Sequence, residues 1–121
     1  MKKAKILVVD DEKEICEVTR SFLSKKNYLC SVAVCEAEAM AILNKEHPDL
    51  VLLDIRLKET SGLDVLRKIK EIDPKIKVVM VTGLADEESV RQAKAQGADD
   101  FVSKPFTADC LQELVAQKLS V

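Results

Sequence analysis

The sequence predicts a doubly wound α/β fold, in which helices cover both faces of a parallel β-sheet. Five short apolar segments alternate along the chain with five amphipathic segments, and only a few residues connect one segment to the next. Three of the apolar segments are apolar at nearly every position, which is typical of strands buried on both faces. Parallel strands joined by helical crossovers account for both observations.

The predicted strands are the five apolar segments. Each covers four to six residues, an ordinary length for a strand. In chain order they are Lys5–Val9, Leu29–Val34, Leu50–Leu53, Val78–Val81 and Asp100–Ser103.

The first two predicted helices are recognised by apolar stripes. The stripe of the first helix consists of Ile15, Val18, Phe22 and Leu23. Asn27 follows it and can end the helix. The second helix must end before Pro48, because the residue before a proline disfavours the helical conformation. Its shorter stripe consists of Ala37, Met40, Ala41 and Asn44. His47, the one histidine, is interpreted as a solvated residue at this helix end.

The last three predicted helices are recognised by their ends as well. The third helix ends near Asp73–Pro74, and its stripe consists of Leu63, Leu66 and Ile69. The fourth spans Asp86 to Gln96, because acidic residues favour a helix N-terminus and Gly97 favours a stop. Thr107 is the expected N-cap of the fifth helix. The inward-facing residues of that helix are Leu111, Leu114, Val115 and Leu119.

Length and composition limit the functions that this fold could serve. The 121 residues suffice for one domain. Lys and Arg number 19 against 21 Asp and Glu, and aromatic residues make up 3%, which argues against a basic or base-stacking surface for nucleic acid. No apolar run approaches the roughly 18 residues of a membrane span.

We expect the chain to work in the cytoplasm. Its first apolar stretch ends at Val9 and meets Asp10-Asp11-Glu12, which a secretory signal would not contain. The four cysteines have neither the spacing nor the histidine partners of a disulfide framework or a zinc site. They are interpreted as reduced, mostly buried thiols: Cys16, Cys30, Cys35 and Cys110.

Polar side chains collect at the carboxyl ends of four predicted strands, which is the edge where open α/β sheets bind ligands. Asp10 and Asp11 follow the first strand, and Asp54 closes the third. Thr82 follows the fourth strand and Lys104 follows the fifth. Each aspartate alone is often only a turn or helix cap. Together, the four segments bring three carboxylates, a hydroxyl and an ammonium to one place.

Three converging carboxylates cannot all remain ionised without a compensating cation. Two carboxylates about 5 Å apart repel by roughly 3 kcal/mol at an effective dielectric near 20. Lys104 neutralises at most one charge. A protein can protonate one carboxylate or bind a hard divalent ion through oxygen ligands. Mg²⁺ suits a site with few protein oxygens, because it keeps several waters and accepts a phosphate oxygen. We therefore expect a Mg²⁺ site that a phosphoryl ligand completes.

The same residue types support phosphoryl transfer. A carboxylate can act as the nucleophile that forms an aspartyl phosphate. A metal ion, a lysine and a hydroxyl can offset and hold the charge of the transferred group. Asp54 is the best acceptor candidate, because the wholly apolar strand before it would fix its position.

Four motifs occur in order along the chain, each weak alone but highly specific together at these spacings. They are Ile6–Asp11, Pro48–Asp54 with Gly62 downstream, Val79–Gly83 and Gly97–Phe106. With them the sequence resembles the receiver domain of two-component response regulators over its whole length. The resemblance implies a single receiver domain over residues 1–121 and a five-stranded parallel (βα)5 sheet of flavodoxin-like strand order 2-1-3-4-5. It implies a phosphorylation-dependent signalling switch that catalyses only its own phosphorylation and dephosphorylation.

The resemblance also assigns roles to residues. Asp54 would accept the phosphoryl group from a phosphohistidine of a sensor histidine kinase or a histidine phosphotransfer protein. Mg²⁺ would be bound by Asp11, Asp54 and the backbone carbonyl of Arg56, with Asp10 acting mainly through water. Lys104 would form an ion pair with the phosphoryl group.

Further roles concern the switch. The Lys104–Pro105 peptide bond would be cis. Thr82 would bond a phosphoryl oxygen and move toward it, and Phe101 would swing inward in response. The face formed by the fourth helix, fifth strand and fifth helix would then change and regulate a downstream protein or an attached output domain. Gly83 would ease the backbone change.

Four positions depart from the family's common pattern. Leu57-Lys58 replaces a frequent Met-Pro, so the loop before Gly62 is expected to be looser or differently aimed. Gly83 replaces a frequent Ala, and Phe101 replaces a frequent Tyr and so lacks the phenolic hydroxyl. In the family, the positions of Arg56 and Leu84 influence how long the phosphoryl group lasts, and we expect the same of these two residues.

Two other functions fit this sequence less well. A nucleotide or flavin binder of this architecture needs a Gly/Ser/Thr-rich phosphate cradle where this chain has Asp10-Asp11-Glu12. A receiver-like interaction module that is never phosphorylated would lack the acceptor, an acidic residue or the lysine, and all are present. The sequence leaves open whether the domain acts alone, relays a phosphoryl group or belongs to a larger regulator.

Overall fold

The computed structural model describes residues 3–83 and 87–120. Within these ranges five strands alternate with five helices, which confirms the predicted α/β class. No helix of the described ranges is long and apolar enough to cross a membrane. The elements are β1 (Lys5–Val9), α1 (Lys13–Ser24), β2 (Leu29–Ala33), α2 (Glu36–Glu46), β3 (Leu50–Asp54), α3 (Gly62–Ile72), β4 (Lys77–Thr82), α4 (Glu87–Ala95), β5 (Asp100–Ser103) and α5 (Ala108–Leu119).

The five strands are parallel and lie in the order β2-β1-β3-β4-β5, which confirms the implied topology. The direction of progression across the sheet reverses at β1, so β1 and β3 are neighbours although α1, β2 and α2 separate them in the chain. Their register pairs Val9 with Leu53. Asp10 and Asp54, one residue further along each strand, therefore lie beside each other where ligands bind to such sheets.

Helices on the two faces of the sheet enclose two apolar clusters. Alternate strand residues point to opposite faces. Leu7 and Val51 belong to the cluster under α2, α3 and α4, whereas Ile6 and Leu52 belong to the cluster under α1 and α5. All five residues of β3 are buried. Each fully buried aliphatic side chain contributes roughly 1.5–3 kcal/mol, so the central strand is firmly fixed.

The predicted stripe of α1 is wrong in part. The buried side chains of this helix are Cys16, Thr19 and Leu23, whereas Val18 is 49% exposed. Val18 instead lines a surface groove together with Pro105 and Phe106, which follow β5. Apolarity alone could not reveal the buried side, because threonine does not count as apolar.

The predicted stripe of α2 is also wrong in part. The buried residues of this helix are Ala39 and Leu43. Alanines occur on several sides of α2, so they give a weak periodicity that did not identify the buried side. Of the predicted stripe, Met40 is partly buried, and the residues exposed to solvent are Ala37, Ala41 and Asn44.

The predicted helix ends are mostly confirmed. Asn27, His47 and Gly97 have the left-handed φ values of 66°, 51° and 99° that end helices or the turns after them. His47 is exposed and caps the end of α2, as interpreted. Thr107 accepts a hydrogen bond through its side chain at the start of α5. Asp86, the predicted first residue of the fourth helix, lies outside the described residues.

The four cysteines are free thiols, which agrees with the prediction of a reduced state. The expectation that they are mostly buried is wrong, because only Cys16 is fully buried and Cys110 is exposed. Burial raises the pKa of Cys16 to about 11 and the pKa of Cys30 to about 12. Both therefore remain protonated at neutral pH and are poor nucleophiles.

Candidate functional site

The polar residues predicted from strand ends meet at a cavity of about 330 Å³ at the carboxyl edge of the sheet. Four strands contribute to it, which is why residues far apart in the chain become neighbours. Its lining residues are Asp11, Glu12, Asp54, Ile55, Arg56, Thr82, Gly83 and Lys104.

Lys104 joins two buried carboxylates. Its Nζ lies 2.8 Å from Asp10 Oδ2 and 2.9 Å from Asp54 Oδ2. Asp10 is only 3% exposed and Asp54 only 6%. Buried charges persist only when they are paired and hydrogen-bonded. The structure thus brings together three of the predicted site residues in one ion-pair network.

The second oxygen of each carboxylate is held by the backbone. Asp10 Oδ1 accepts a hydrogen bond of 2.9 Å from the N–H of Glu12. Asp54 Oδ1 accepts one of 3.0 Å from the N–H of Arg56. Both bonds reach two residues ahead, the local pattern that aspartate forms at a turn. Each carboxylate is therefore fixed at both oxygens.

Burial and charge perturb this network in opposite directions. Burial raises the pKa of Asp54 above its ordinary value, although the hydrogen bonds from Lys104 and Arg56 partly offset that effect. For Lys104, burial acts to lower the pKa, but the hydrogen bonds to Asp10 and Asp54 together outweigh it and raise the pKa to about 12. Lys104 is accordingly a permanent cation, and Asp54 is a carboxylate whose charge is incompletely compensated.

The residues fit a hard divalent cation. One carboxylate oxygen from each of Asp10, Asp11 and Glu12 lies within 4.8 Å of the others. Asp54 and Arg56 line the same cavity from the side of β3. Oxygen donors and an excess of negative charge are the features that Mg²⁺ requires. Sequence reasoning missed Glu12, although the signal was present in the unbroken acidic run that begins at Asp10.

Thr82 and Phe101 lie on the same side of the sheet but not in the same cavity. Thr82, the last residue of β4, lines the cavity, and its carbonyl accepts a 2.7 Å hydrogen bond from the N–H of Lys104. Phe101 on β5 is paired in register with Met80, two residues before Thr82. Its ring is partly buried against the cluster under α2, α3 and α4. The Lys104–Pro105 peptide bond is cis.

Gly62 holds the loop that follows Asp54 close to β3. Its N–H donates a 2.7 Å hydrogen bond to the carbonyl of Ile55. A Cβ at this position would lie 2.1 Å from the carbonyl oxygen of Asp54, which no side chain can do without displacing the backbone. Arg56 and Ser61 also form an isolated antiparallel bridge. The sequence motif included Gly62, but the sequence alone does not show why a glycine is needed at this position.

The loop between Asp54 and Gly62 is held by an apolar contact and a backbone bridge. Leu57, one of the two unusual residues, is partly buried against the apolar cluster, whereas Lys58 is exposed. The bridge between Arg56 and Ser61 closes the loop around them. Leu84, expected to influence the phosphoryl lifetime, lies outside the described residues.

This chain belongs to the response regulator receiver domain family. The sequence model of that family matches residues 6–116. The fold described above is thus that of a receiver domain of two-component response regulators.

Curated relatives agree with this assignment. Sporulation initiation phosphotransferase F of Bacillus subtilis is 33% identical over 119 residues, which cover 98% of this chain and 96% of that protein. Protein CcdB of Bacillus subtilis is 37% identical over 114 residues, covering 93% of this chain and 95% of the relative. Phosphate regulon transcriptional regulatory protein PhoB of Pseudomonas aeruginosa is 37% identical over 118 residues.

The relatives differ in length. The chain spans 50% of PhoB and 44% of response regulator SaeR of Staphylococcus epidermidis, so some relatives are about twice as long.

Solved structures show the same fold. A CheY-like receiver domain protein from Methanospirillum hungatei has a TM-score of 0.94 and 32% identity, covering 98% of this chain and 94% of that one. The receiver domain of NtrX from Brucella abortus has a TM-score of 0.89 and 38% identity, covering 94% and 97%.

The close approach at Gly62 yields a stability prediction. We expect Gly62→Ala to lower the free energy of unfolding by at least about 1–3 kcal/mol, because the new methyl group overlaps the backbone of β3. Gly83→Ala is the matched control, since a Cβ there meets nothing within 4 Å. Urea unfolding of both variants measures the effect. If the two variants were equally stable, the close approach of Gly62 to the backbone of β3 would not limit which residue can occupy position 62.

Proposed function

We propose that this chain is a single receiver domain over residues 1–121 that accepts a phosphoryl group on Asp54. The observation that carries the proposal is the state of Asp54: a buried carboxylate, fixed by Lys104 and the N–H of Arg56, that nevertheless lines an open cavity. A fixed nucleophile with incompletely compensated charge is suited to attack a phosphorus atom placed in that cavity.

The proposed donor is a phosphohistidine. A carboxylate oxygen of Asp54 forms a bond to phosphorus as the bond between phosphorus and the imidazole nitrogen breaks, and the nitrogen keeps the electron pair. The histidine of the donor is thereby restored, and Asp54 becomes an acyl phosphate. Attack of water on the phosphorus of that acyl phosphate releases inorganic phosphate and returns the carboxylate. The domain catalyses these two reactions on itself and has no other substrate in this proposal.

Lys104 and Thr82 serve the transferred group. The ammonium of Lys104, already 2.9 Å from Asp54 Oδ2, offsets the charge of a phosphoryl oxygen. The Thr82 hydroxyl lines the same cavity and can donate a hydrogen bond to another phosphoryl oxygen. Both groups therefore act on charge that grows during transfer.

Mg²⁺ is the proposed cofactor. Asp11, Asp54 and the backbone carbonyl of Arg56 would hold it, with Asp10 acting mainly through water, and Glu12 adds a further carboxylate beside them. When bound, the ion supplies positive charge that offsets the negative charge on the transferred group. Asp10 keeps its position through Lys104 and the N–H of Glu12.

Thr82 is also the proposed start of the conformational change. A phosphoryl group adds up to about two negative charges and strong hydrogen-bond acceptors, which attract the Thr82 hydroxyl. Thr82 shares a face of the sheet with Met80, the register partner of Phe101. Movement of Thr82 therefore changes the space beside Phe101, and the face of α4, β5 and α5 follows.

A groove beside the cavity is the proposed docking surface for the donor. It has a volume of about 360 Å³ and is mostly apolar. Lys104 lines both the groove and the cavity that contains Asp54, so the groove adjoins the acceptor's cavity. We propose that an apolar helix face carrying the phosphohistidine binds there. The groove is lined by Ile15, Val18, Thr19, Phe22, Lys104, Pro105 and Phe106.

The proposed partners are a sensor histidine kinase or a histidine phosphotransfer protein upstream, and a protein target or output domain downstream. Among relatives, the name of the DNA-binding transcriptional regulator NtrC indicates such an output. We place this signalling in the cytoplasm.

Phosphorylation is tested directly with a small donor. Incubation with acetyl phosphate and Mg²⁺ should add the mass of one phosphoryl group to the chain, as measured by intact-protein mass spectrometry. The added mass should be absent in Asp54→Asn, because an amide is not a nucleophile for phosphorus. Asp64→Asn, which alters an exposed aspartate on α3, is the control and should be phosphorylated normally. Equal phosphorylation of Asp54→Asn would place the acceptor elsewhere.

Metal binding is tested by stability. Since a ligand that binds only the folded state stabilises it, Mg²⁺ at 100 times its dissociation constant should add about 2.7 kcal/mol to the free energy of unfolding. Asp11→Asn should lose most of this gain, whereas Glu113→Gln, an exposed residue of α5, should keep it. Calorimetric or urea unfolding with Mg²⁺ or EDTA measures the difference. An identical gain in Asp11→Asn would contradict the proposed ligand set.

A further inference from the structure

Phe101 carries a contact that the proposed phosphorylation site does not use. Its ring packs on one side against the apolar cluster under α2, α3 and α4. On the other side, Nζ of Lys94, an exposed residue of α4, lies 5.8 Å from the ring centroid. This is the distance range of a cation–π interaction. The ring is thus placed between the core and a cation that remains in solvent.

Nothing in the ring itself opposes deeper burial. Phe101 lacks a phenolic hydroxyl, so moving inward would desolvate no polar group and would remove more apolar surface from water. The Lys94 ammonium acts in the opposite direction, because it is strongly hydrated and cannot follow the ring into the core. The contact is therefore lost when the ring moves inward.

Two neighbouring lysines pair with carboxylates instead of contacting the Phe101 ring. Nζ of Lys70 lies 2.9 Å from Asp99 Oδ2, and Nζ of Lys118 lies 3.1 Å from Asp100 Oδ2. Both lysines pair with carboxylates one or two residues before Phe101 in the chain, rather than with its ring.

We propose that Lys94 is a positioning residue that holds the Phe101 ring in its partly buried position and so keeps the α4–β5–α5 face in its unphosphorylated arrangement. The signalling consequence rests on the proposed function, but the contact itself does not. An exposed cation–π contact corresponds to a population change of about two- to fivefold. Removing it should raise the population of the inward ring by that factor.

Fluorine NMR of protein labelled with 4-fluorophenylalanine tests the contact. The chain has three phenylalanines, and Phe101→Leu assigns the signal of interest. The difference in its chemical shift between H₂O and D₂O reports the exposure of the ring. Lys94→Gln should reduce this difference, and Lys94→Arg should preserve it, because a guanidinium also stacks on aromatic rings.

Arg91→Gln is the matched control, since Arg91 is on the same helix and pairs with Glu88. An unchanged solvent shift in Lys94→Gln, or an equal change in Arg91→Gln, would overturn the proposal.

A second measurement separates this proposal from the phosphorylation of Asp54. The fluorine experiment is repeated in the Asp54→Asn background, where its outcome does not depend on phosphoryl transfer. With Asp54 present, Lys94→Gln should accelerate phosphoryl uptake from acetyl phosphate about two- to fivefold. A ring that moves without any change in uptake would overturn the regulatory role of Lys94. If no variant took up a phosphoryl group, Asp54 would instead be overturned as the acceptor. The fluorine measurement would still decide whether Lys94 holds the Phe101 ring.

Discussion

Two buried carboxylates that share one ammonium are the constraint on which this receiver domain depends. Asp10 and Asp54 are nearly inaccessible to solvent, and Lys104 Nζ lies within 3 Å of an oxygen of each. One positive charge cannot offset two negative ones. Removing one partner from a buried pair typically costs about 3–5 kcal/mol, so the network resists change at Lys104. The remaining negative charge, together with Asp11 and Glu12, explains why the cavity suits a divalent cation.

The backbone, rather than attraction between side chains, brings these charges together. Parallel pairing of β1 with β3 sets Asp10 beside Asp54, and pairing of β4 with β5 brings Lys104 to the end of the same sheet. Gly62 closes the loop after β3 against the carbonyl of Asp54. The apolar strands therefore supply the free energy that holds like charges at close range. Binding of a divalent cation would then relieve a repulsion that folding has already imposed.

The fold was predictable because its signals are local. Continuous apolar strands, Thr107 as a helix cap and Gly97 as a stop each act within a few residues, and parallel strands carry their carboxyl ends to one edge. The convergence of Asp54 and Lys104 followed from that rule. The buried sides of α1 and α2 could not be predicted in this way, because Thr19 in α1 and the scattered alanines in α2 obscure them. The overlap at Gly62 and the contact between Lys94 and Phe101 depend on distances between elements, which no periodicity encodes.

The free energy of unfolding of Asp54→Asn in EDTA tests the central constraint most directly. Burial raises the pKa of Asp54 in the folded state above its value in the unfolded chain. Between these two pKa values the folded state binds more protons than the unfolded chain does. At higher pH the ionised carboxylate therefore destabilises the fold. We expect the variant to be more stable than the unsubstituted chain in urea titrations at pH 7, with a smaller advantage at pH 4. A variant that is less stable at pH 7, or whose advantage is the same at both pH values, would contradict it.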